Sequence, residues 1–435
     1  MICTALLFIF IHAHAKSLLF DRHPLEHFAT GFTAFSSVKK DVEPTFDRLR
    51  RPAAAASCSQ PRCGGHPLVI VPSLIGNQLN ATLKNAQGEP HWWCDTNAPN
   101  YRLFIDVLDF FPYSPLQSCF WHNIGLVFNG TDSVSPDGVH VDVPLELSAT
   151  ACLDASCKVP IWAGIIDMLA TNLSYTPGVD IVSVNYDWRL GPNAMSSTFA
   201  RTKAVIENLA LQTGQPVVVV GLSLGSPHAA LFLSLQTQSW RSKFVHGFVS
   251  LSGAFGGSLW ATLTQISSGV PIYSNSTING AQLFDAARGW SSLAALSPDI
   301  DMLGNVTQIV TPARNYTTSQ FADLYADAGV PNGAAMIKTT MAQQWHNYQR
   351  VNLGINVTCV FGRNVPAPSV VHFADNTFRV PTEIDNAAGD GTLVDAALTT
   401  PCRAWKAKMV PVDGMRHGDV VRTPVALQAL VDALF

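Results

Sequence analysis

Three widely separated residues have the types and the chain order that a nucleophilic serine requires: Ser223, Asp390 and His417. Ser223 stands in Gly221-Leu222-Ser223-Leu224-Gly225, within "VVVVGLSLGSPHAALFL". Four valines predict a buried strand before it, and the run after it predicts a helix. A serine at such a corner is thrust clear of the sheet, and small flanking residues let the backbone bend. The helix that follows directs its positive end at the same point. Pro227 fits its first turn, where the missing N–H has no helical partner. The five-residue pattern alone also suits a plain structural corner, so the partners matter. On this kind of scaffold the acid follows the serine and the histidine follows the acid. Asp390 lies in "AAGDGTLVDAAL", a glycine-flanked turn, and His417 in "DGMRHGDVV" is the one histidine beyond it. His417 would take the Ser223 proton, with Asp390 setting its tautomer and stabilising the imidazolium. Asp395 is the rival acid, but it falls inside a helical pattern. The amides of Leu224, beside the serine, and of Leu74 in "VPSLIGNQL" are the candidate oxyanion donors.

These residues need a scaffold, and short β-branched runs supply one. Strands are expected within 66–74, 179–188, 216–221, 244–253, 357–363 and 408–414, with helices at 160–173, 196–212 and 227–239. The runs are almost continuously apolar, as in strands covered on both faces, and their alternation with helices predicts a doubly wound, mainly parallel α/β fold. Two stretches interrupt the alternation. Residues 90–121 are aromatic-rich and bracketed by Cys94 and Cys119, and residues 257–320 are rich in Gly, Ser and Asn. Loops this long inside a compact body are usually lids or binding elements.

The chain's 435 residues are 47% hydrophobic and 13% charged, with a net charge of −4, which offers no basic field for nucleic acid. Residues 1–15 read as a signal peptide ending in Ala13-His14-Ala15, and 16–65 as a loosely ordered leader or arm before a body spanning 66–435. Seven glycosylation sequons, at Asn80, Asn129, Asn172, Asn275, Asn305, Asn315 and Asn356, fit a secretory route, lysosomal or extracellular. So do eight cysteines once Cys3 leaves with the signal. Cys58/Cys63 and Cys152/Cys157 read as disulfide loops rather than half of a zinc site, since no histidines complete a ligand set. No metal and no cofactor are expected.

With the elbow, acid and histidine in place, further blocks become recognisable: "HPLVIVPSLIGNQLNATL", "CFWHNIGLVFNGT", "PDGVHVDVP", "VNYDWRLGPN", "FVSLSGAFGGS", "TCVFGRNVPAP" and "PCRAW". In this order, over roughly 66–420, the chain resembles the lecithin:cholesterol acyltransferase family, most closely its lysosomal phospholipase A/transacylase branch. The resemblance implies an α/β-hydrolase fold whose 90–121 segment binds membrane through Trp92 and Trp93, with a lid in about 257–320. It implies disulfides Cys94–Cys119 and Cys359–Cys402. It also implies transfer of a fatty acyl group from a glycerophospholipid to Ser223, then to water or a lipid alcohol such as a sterol or ceramide, at a phospholipid membrane or lipoprotein surface. The chain departs from the family at Leu222, where His is usual, at Ser73 in place of Gly, and at Leu74, where the lysosomal branch has Asp. An acid pH optimum therefore does not carry over. Those departures are the ground for the competing reading, a catalytically silent lipid-binding protein on the same fold.

Overall fold

The computed structural model describes residues 61–105, 116–269, 280–342 and 351–435. The signal peptide, nearly all of the 16–65 arm, Cys58 and the sequon at Asn275 lie outside them. The central sheet has six strands: β1 Leu68–Val71, β2 Ile181–Ser183, β3 Val217–Leu222, β4 Val245–Leu251, β5 Asn356–Arg363 and β6 Lys408–Asp413. Their order across the sheet is β6-β5-β4-β3-β1-β2, with every pairing parallel. All six strands expected from the β-branched runs are here, in one sheet.

The helices used below are α1 Gln117–Ile124, α2 Ala163–Leu173, α3 Ser196–Thr213, α4 Gly225–Ser234, α5 Gln238–Phe244, α6 Asp395–Ala404 and α7 Pro424–Leu434. The single helix expected over 227–239 is in fact two. Thr237 breaks it, and its side chain caps α5 by accepting from the Trp240 N–H, because a Thr hydroxyl competes well for the free amides of a helix start.

Apolar residues on both strand faces drive the layering. Val69, Val71, Val217 and Val219 enter one core with Ile206 and Leu209 of α3 and Phe232 and Leu233 of α4. Their alternates Leu68, Ile70, Val218 and Val220 enter another with Ile165 and Leu169 of α2 and Leu427 and Leu430 of α7. Strand side chains alternate between faces, so a continuous valine run fills both cores at once. Each of the four valines at 217–220 is fully buried, worth roughly 1.5–3 kcal/mol apiece in gross transfer free energy.

The order reverses between β1 and β3, since the chain builds outward from β1 to β2 and then restarts on the other side. Such a switch point leaves a crevice at the carboxyl ends of the two strands, where loops diverge to opposite faces. The 72–77 loop after β1 and the elbow after β3 meet in that crevice. The long 90–121 segment is structured where it is described. Residues Asn97–Phe104 form a strand paired with Leu79–Lys84, and α1 follows. A four-stranded sheet carries Thr307–Val310 and Asn315–Thr317 alongside Val365–Phe373 and Pro381–Gly389. Among the described residues no helix is long and apolar enough to cross a membrane.

Candidate active site

Ser223 has φ +51°, the left-handed conformation that a non-glycine residue rarely adopts. That conformation costs of order 1–3 kcal/mol. The surroundings hold it there. The Ser223 N–H donates to Leu251 O at 2.9 Å, while its carbonyl accepts from Ser226 N–H at 3.0 Å and Ala254 N–H at 3.2 Å. Both glycines of the pentapeptide are sterically required. A Cβ on Gly221 would meet Ser226 Cα at 2.6 Å, and one on Gly225 would overlap the Val71 and Pro72 carbonyl oxygens. Those clashes are with backbone, which cannot swing aside as a side chain could.

Asp390 follows directly on the strand Pro381–Gly389, and its side chain is fully buried. Oδ1 accepts from the amides of Thr392 at 3.1 Å and Leu393 at 2.9 Å. Oδ2 lies 2.7 Å from His417 Nδ1, and the Asp390 carbonyl accepts from the His417 N–H at 2.8 Å. His417 opens a short 3₁₀ turn after β6 and leaves 18% of its side chain exposed. Its Nε2 lies 2.9 Å from Ser223 Oγ. An ionised carboxylate can only accept, so Nδ1–H donates to Asp390, and in the neutral ring Nε2 accepts from the Ser223 hydroxyl. The imidazole thus stands between the Ser223 hydroxyl and the buried carboxylate, hydrogen-bonded to both. The rival Asp395 stands in the first turn of α6, and the histidine's Nδ1 is already taken by Asp390.

Leu74 lies in a turn closed by Gly76 N–H donating to Ser73 O at 2.9 Å, with Ile75 at φ +52°. Leu224 is fully buried immediately before α4. Among the described residues neither amide donates to a backbone carbonyl. That leaves each amide free of a backbone acceptor, as the expected oxyanion donors require.

A cavity of about 350 Å³ opens over Ser223 and His417, a size typical of small-molecule sites. Its walls are apolar, with Phe104, Phe120, Trp121, Ile124 and Trp188 in one group and Trp260, Trp290, Leu293 and Leu296 in another. The first set includes residues of the 90–121 segment and the second comes from 257–320. Leu74 and Leu222 also line it. The cavity suits an alkyl chain with a polar junction at the serine. Among the described residues no group of three or more His, Cys, Asp or Glu is assembled to hold a metal ion.

Cys94 is bonded to Cys119, Cys359 to Cys402 and Cys152 to Cys157. Trp92 is 92% exposed and Trp93 43%, stacked on His91 at 4.1 Å. Of the sequon asparagines, Asn129, Asn305, Asn315 and Asn356 are exposed, whereas Asn80 and Asn172 are half-buried. The sequence reading places Tyr186, Asp187, Trp188 and Arg189 only within a family motif; in the structure they follow β2 after two intervening residues, and Trp188 lines the cavity.

The family model for lecithin:cholesterol acyltransferase matches residues 104–301. The rat lysosomal phospholipase A and acyltransferase is 30% identical over 353 residues, covering 79% of this chain and 82% of that protein. A lecithin-cholesterol acyltransferase-like 1 of Arabidopsis thaliana is 26% identical over 393 residues, covering 84% and 89%. The human phosphatidylcholine-sterol acyltransferase is 26% identical over 385 residues, covering 83% of each chain. At this identity and coverage the chain belongs to the lecithin:cholesterol acyltransferase family.

Proposed function

We propose that this chain is a serine-dependent lipid acyl-hydrolase and O-acyltransferase that cleaves a fatty acyl ester of glycerophospholipids. The observation that carries the reading is the single imidazole bridging Ser223 Oγ and the buried Asp390. Ser223 Oγ attacks the ester carbonyl as its proton passes to His417 Nε2. The oxyanion accepts from the Leu74 and Leu224 amides. Collapse expels the lysophospholipid alkoxide, which leaves as an alcohol with the proton from His417. Water or a lipid alcohol, a sterol or ceramide among them, then gives up a proton to His417 and attacks the acyl-serine carbonyl. Collapse breaks the acyl–Oγ bond, Ser223 Oγ takes the proton back from His417, and the fatty acid or acylated alcohol leaves. The apolar cavity walls support an alkyl chain as the acyl part. The relatives named for phospholipase A and acyltransferase activity support the same chemistry.

Two segments serve substrate delivery in this reading. The 90–121 segment, carrying the exposed Trp92 and Trp93 just ahead of the Cys94–Cys119 loop, seats the protein on a phospholipid membrane or lipoprotein surface. The 257–320 segment forms the lid or cap over the cavity. The three disulfides support passage through an oxidising compartment, with glycosylation at the sequons and residence in the lysosome or outside the cell.

The test is Ser223→Ala assayed for fatty-acid release and acyl transfer on phospholipid vesicles containing ceramide or sterol. Loss of both by several orders of magnitude is expected. Undiminished turnover in a folded variant defeats the proposal.

A further inference from the structure

The 72–77 turn that presents the Leu74 amide is held at both ends by one short segment, the chain that leaves β2. Ahead of the turn, the Tyr186 hydroxyl donates to Pro72 O at 2.8 Å. Beyond it, the Trp188 indole N–H donates to Asn77 O at 3.0 Å, and the Tyr186 backbone N–H reaches Asn77 Oδ1 at 3.4 Å. The opposite side of the turn is closed by the elbow, because Gly225 lies so near Val71 and Pro72 that no side chain fits between. The turn is therefore gripped between the nucleophile's own helix and two aromatic donors.

Those donors are themselves immobile. Tyr186 and Trp188 are almost fully buried. Burial keeps the phenol protonated far above ordinary pH, so it remains a donor throughout the working range. The Trp188 ring is wedged edge-on against Phe104 at 5.0 Å and Trp290 at 5.2 Å. Between them and the cavity wall, Arg189 pairs in fork fashion with Asp187, through Nε at 2.9 Å and Nη2 at 2.7 Å, and donates through Nη1 to Ile124 O at 3.1 Å. That carbonyl at the end of α1 also accepts from Trp290 Nε1 at 3.1 Å. The segment thus ties the turn to the cavity-lining residues Phe104, Ile124 and Trp290.

We propose that Tyr186 and Trp188 are positioning residues that aim the Leu74 amide at the reacting carbonyl oxygen, a role that rests on the Ser223 reading above. They touch no reacting atom and act through the turn. An oxyanion donor is effective only when fixed within a fraction of an ångström of its productive position. Neither side chain is replaceable by a group of similar bulk without a donor.

The experiment uses the full secreted chain as Tyr186→Phe and Trp188→Phe, with Ser223→Ala as control. The probes are a short water-soluble nitrophenyl ester, an alkyl trifluoromethyl ketone and the alkyl alcohol of equal length. The serine oxygen adds to the ketone and creates an oxyanion, whereas the alcohol only fills the cavity. In Tyr186→Phe, kcat falls about tenfold, between no effect and the ~10²–10³ lost with a whole oxyanion donor. KM stays within twofold, ketone affinity falls in parallel with kcat, and alcohol affinity is unchanged. Trp188→Phe lowers kcat and ketone affinity likewise, which covers the case of one variant failing to fold, with alcohol affinity read only in Tyr186→Phe because Trp188 itself lines the cavity. If Ser223→Ala abolishes turnover while kcat and ketone affinity in a folded Phe variant stay within twofold of the parent, the positioning role is overturned. Equal losses of ketone and alcohol affinity in Tyr186→Phe also overturn it, since they report a collapsed cavity. Turnover surviving Ser223→Ala instead overturns the underlying reading of the site.

Discussion

Replacing Asp390 with Asn changes one atom of a buried side chain, and the structure dictates which way the new amide faces. Oδ1 sits against two N–H donors, from Thr392 and Leu393. The amide oxygen must stay there, because an NH₂ in that place would confront two donors with a third. The NH₂ is therefore turned toward His417 Nδ1, where the carboxylate oxygen had been 2.7 Å away. Nδ1 must then accept, so the ring proton moves to Nε2 and points at Ser223 Oγ, 2.9 Å distant. An imidazole in that tautomer cannot take the serine proton. The wrong tautomer alone costs about 10⁴-fold in kcat in serine enzymes of this logic, or about 5 kcal/mol of barrier. Little stability should be lost, since both backbone donors keep an acceptor. The assay is fatty-acid release from phospholipid vesicles, run beside a thermal melt and beside Asp395→Asn. The expected result is a folded, nearly inactive Asp390→Asn and an active Asp395→Asn. A folded Asp390→Asn within tenfold of the parent would refute the reasoning, and so would the reverse pattern, with Asp395→Asn the inactive one.

Gly225→Ala pushes a methyl into the Val71 and Pro72 carbonyls, so the variant is expected to melt many degrees lower or fail to accumulate folded, read by thermal melt and secretion yield. Trp92→Ala with Trp93→Ala removes the exposed rings, and co-sedimentation with phospholipid vesicles should drop at least severalfold while hydrolysis of a water-soluble ester is preserved. His228 is completely buried, and burial pushes its imidazole down to about 3. The unfolded ring protonates near 6.5, so its contribution to stability is whole above that pH and is lost as pH falls from 6.5 toward 3. By pH 5 the loss is about 2 kcal/mol, and His228→Gln should flatten the pH dependence of the denaturation midpoint between 6.5 and 5. An unchanged slope would show that His228 does not carry it.

The six core strands were legible because a parallel sheet covered on both faces demands unbroken β-branched runs, and few other structures tolerate them. The elbow was legible for a related reason: glycine at 221 and 225 is enforced by contacts so close that local sequence must record them. Asp390 and His417 could be nominated from chain order, and their 2.7 Å approach is a property of the fold. The strands Asn97–Phe104, Val365–Phe373 and Pro381–Gly389 were not anticipated. They are partly exposed, and polar residues or prolines interrupt their patterns, so their identity comes from partners distant in sequence. The same holds for the grip on the 72–77 turn. Nothing within 185–189 says that Tyr186 will reach Pro72, or that Trp188 will reach Asn77, until β1 and β2 lie side by side. Sequence alone determined what packs inside and which residue types could react, because burial and backbone strain act locally. Tertiary structure decided which of those residues meet, because hydrogen bonds of about 3 Å between distant segments exist only once the parallel strands bring their ends to one edge.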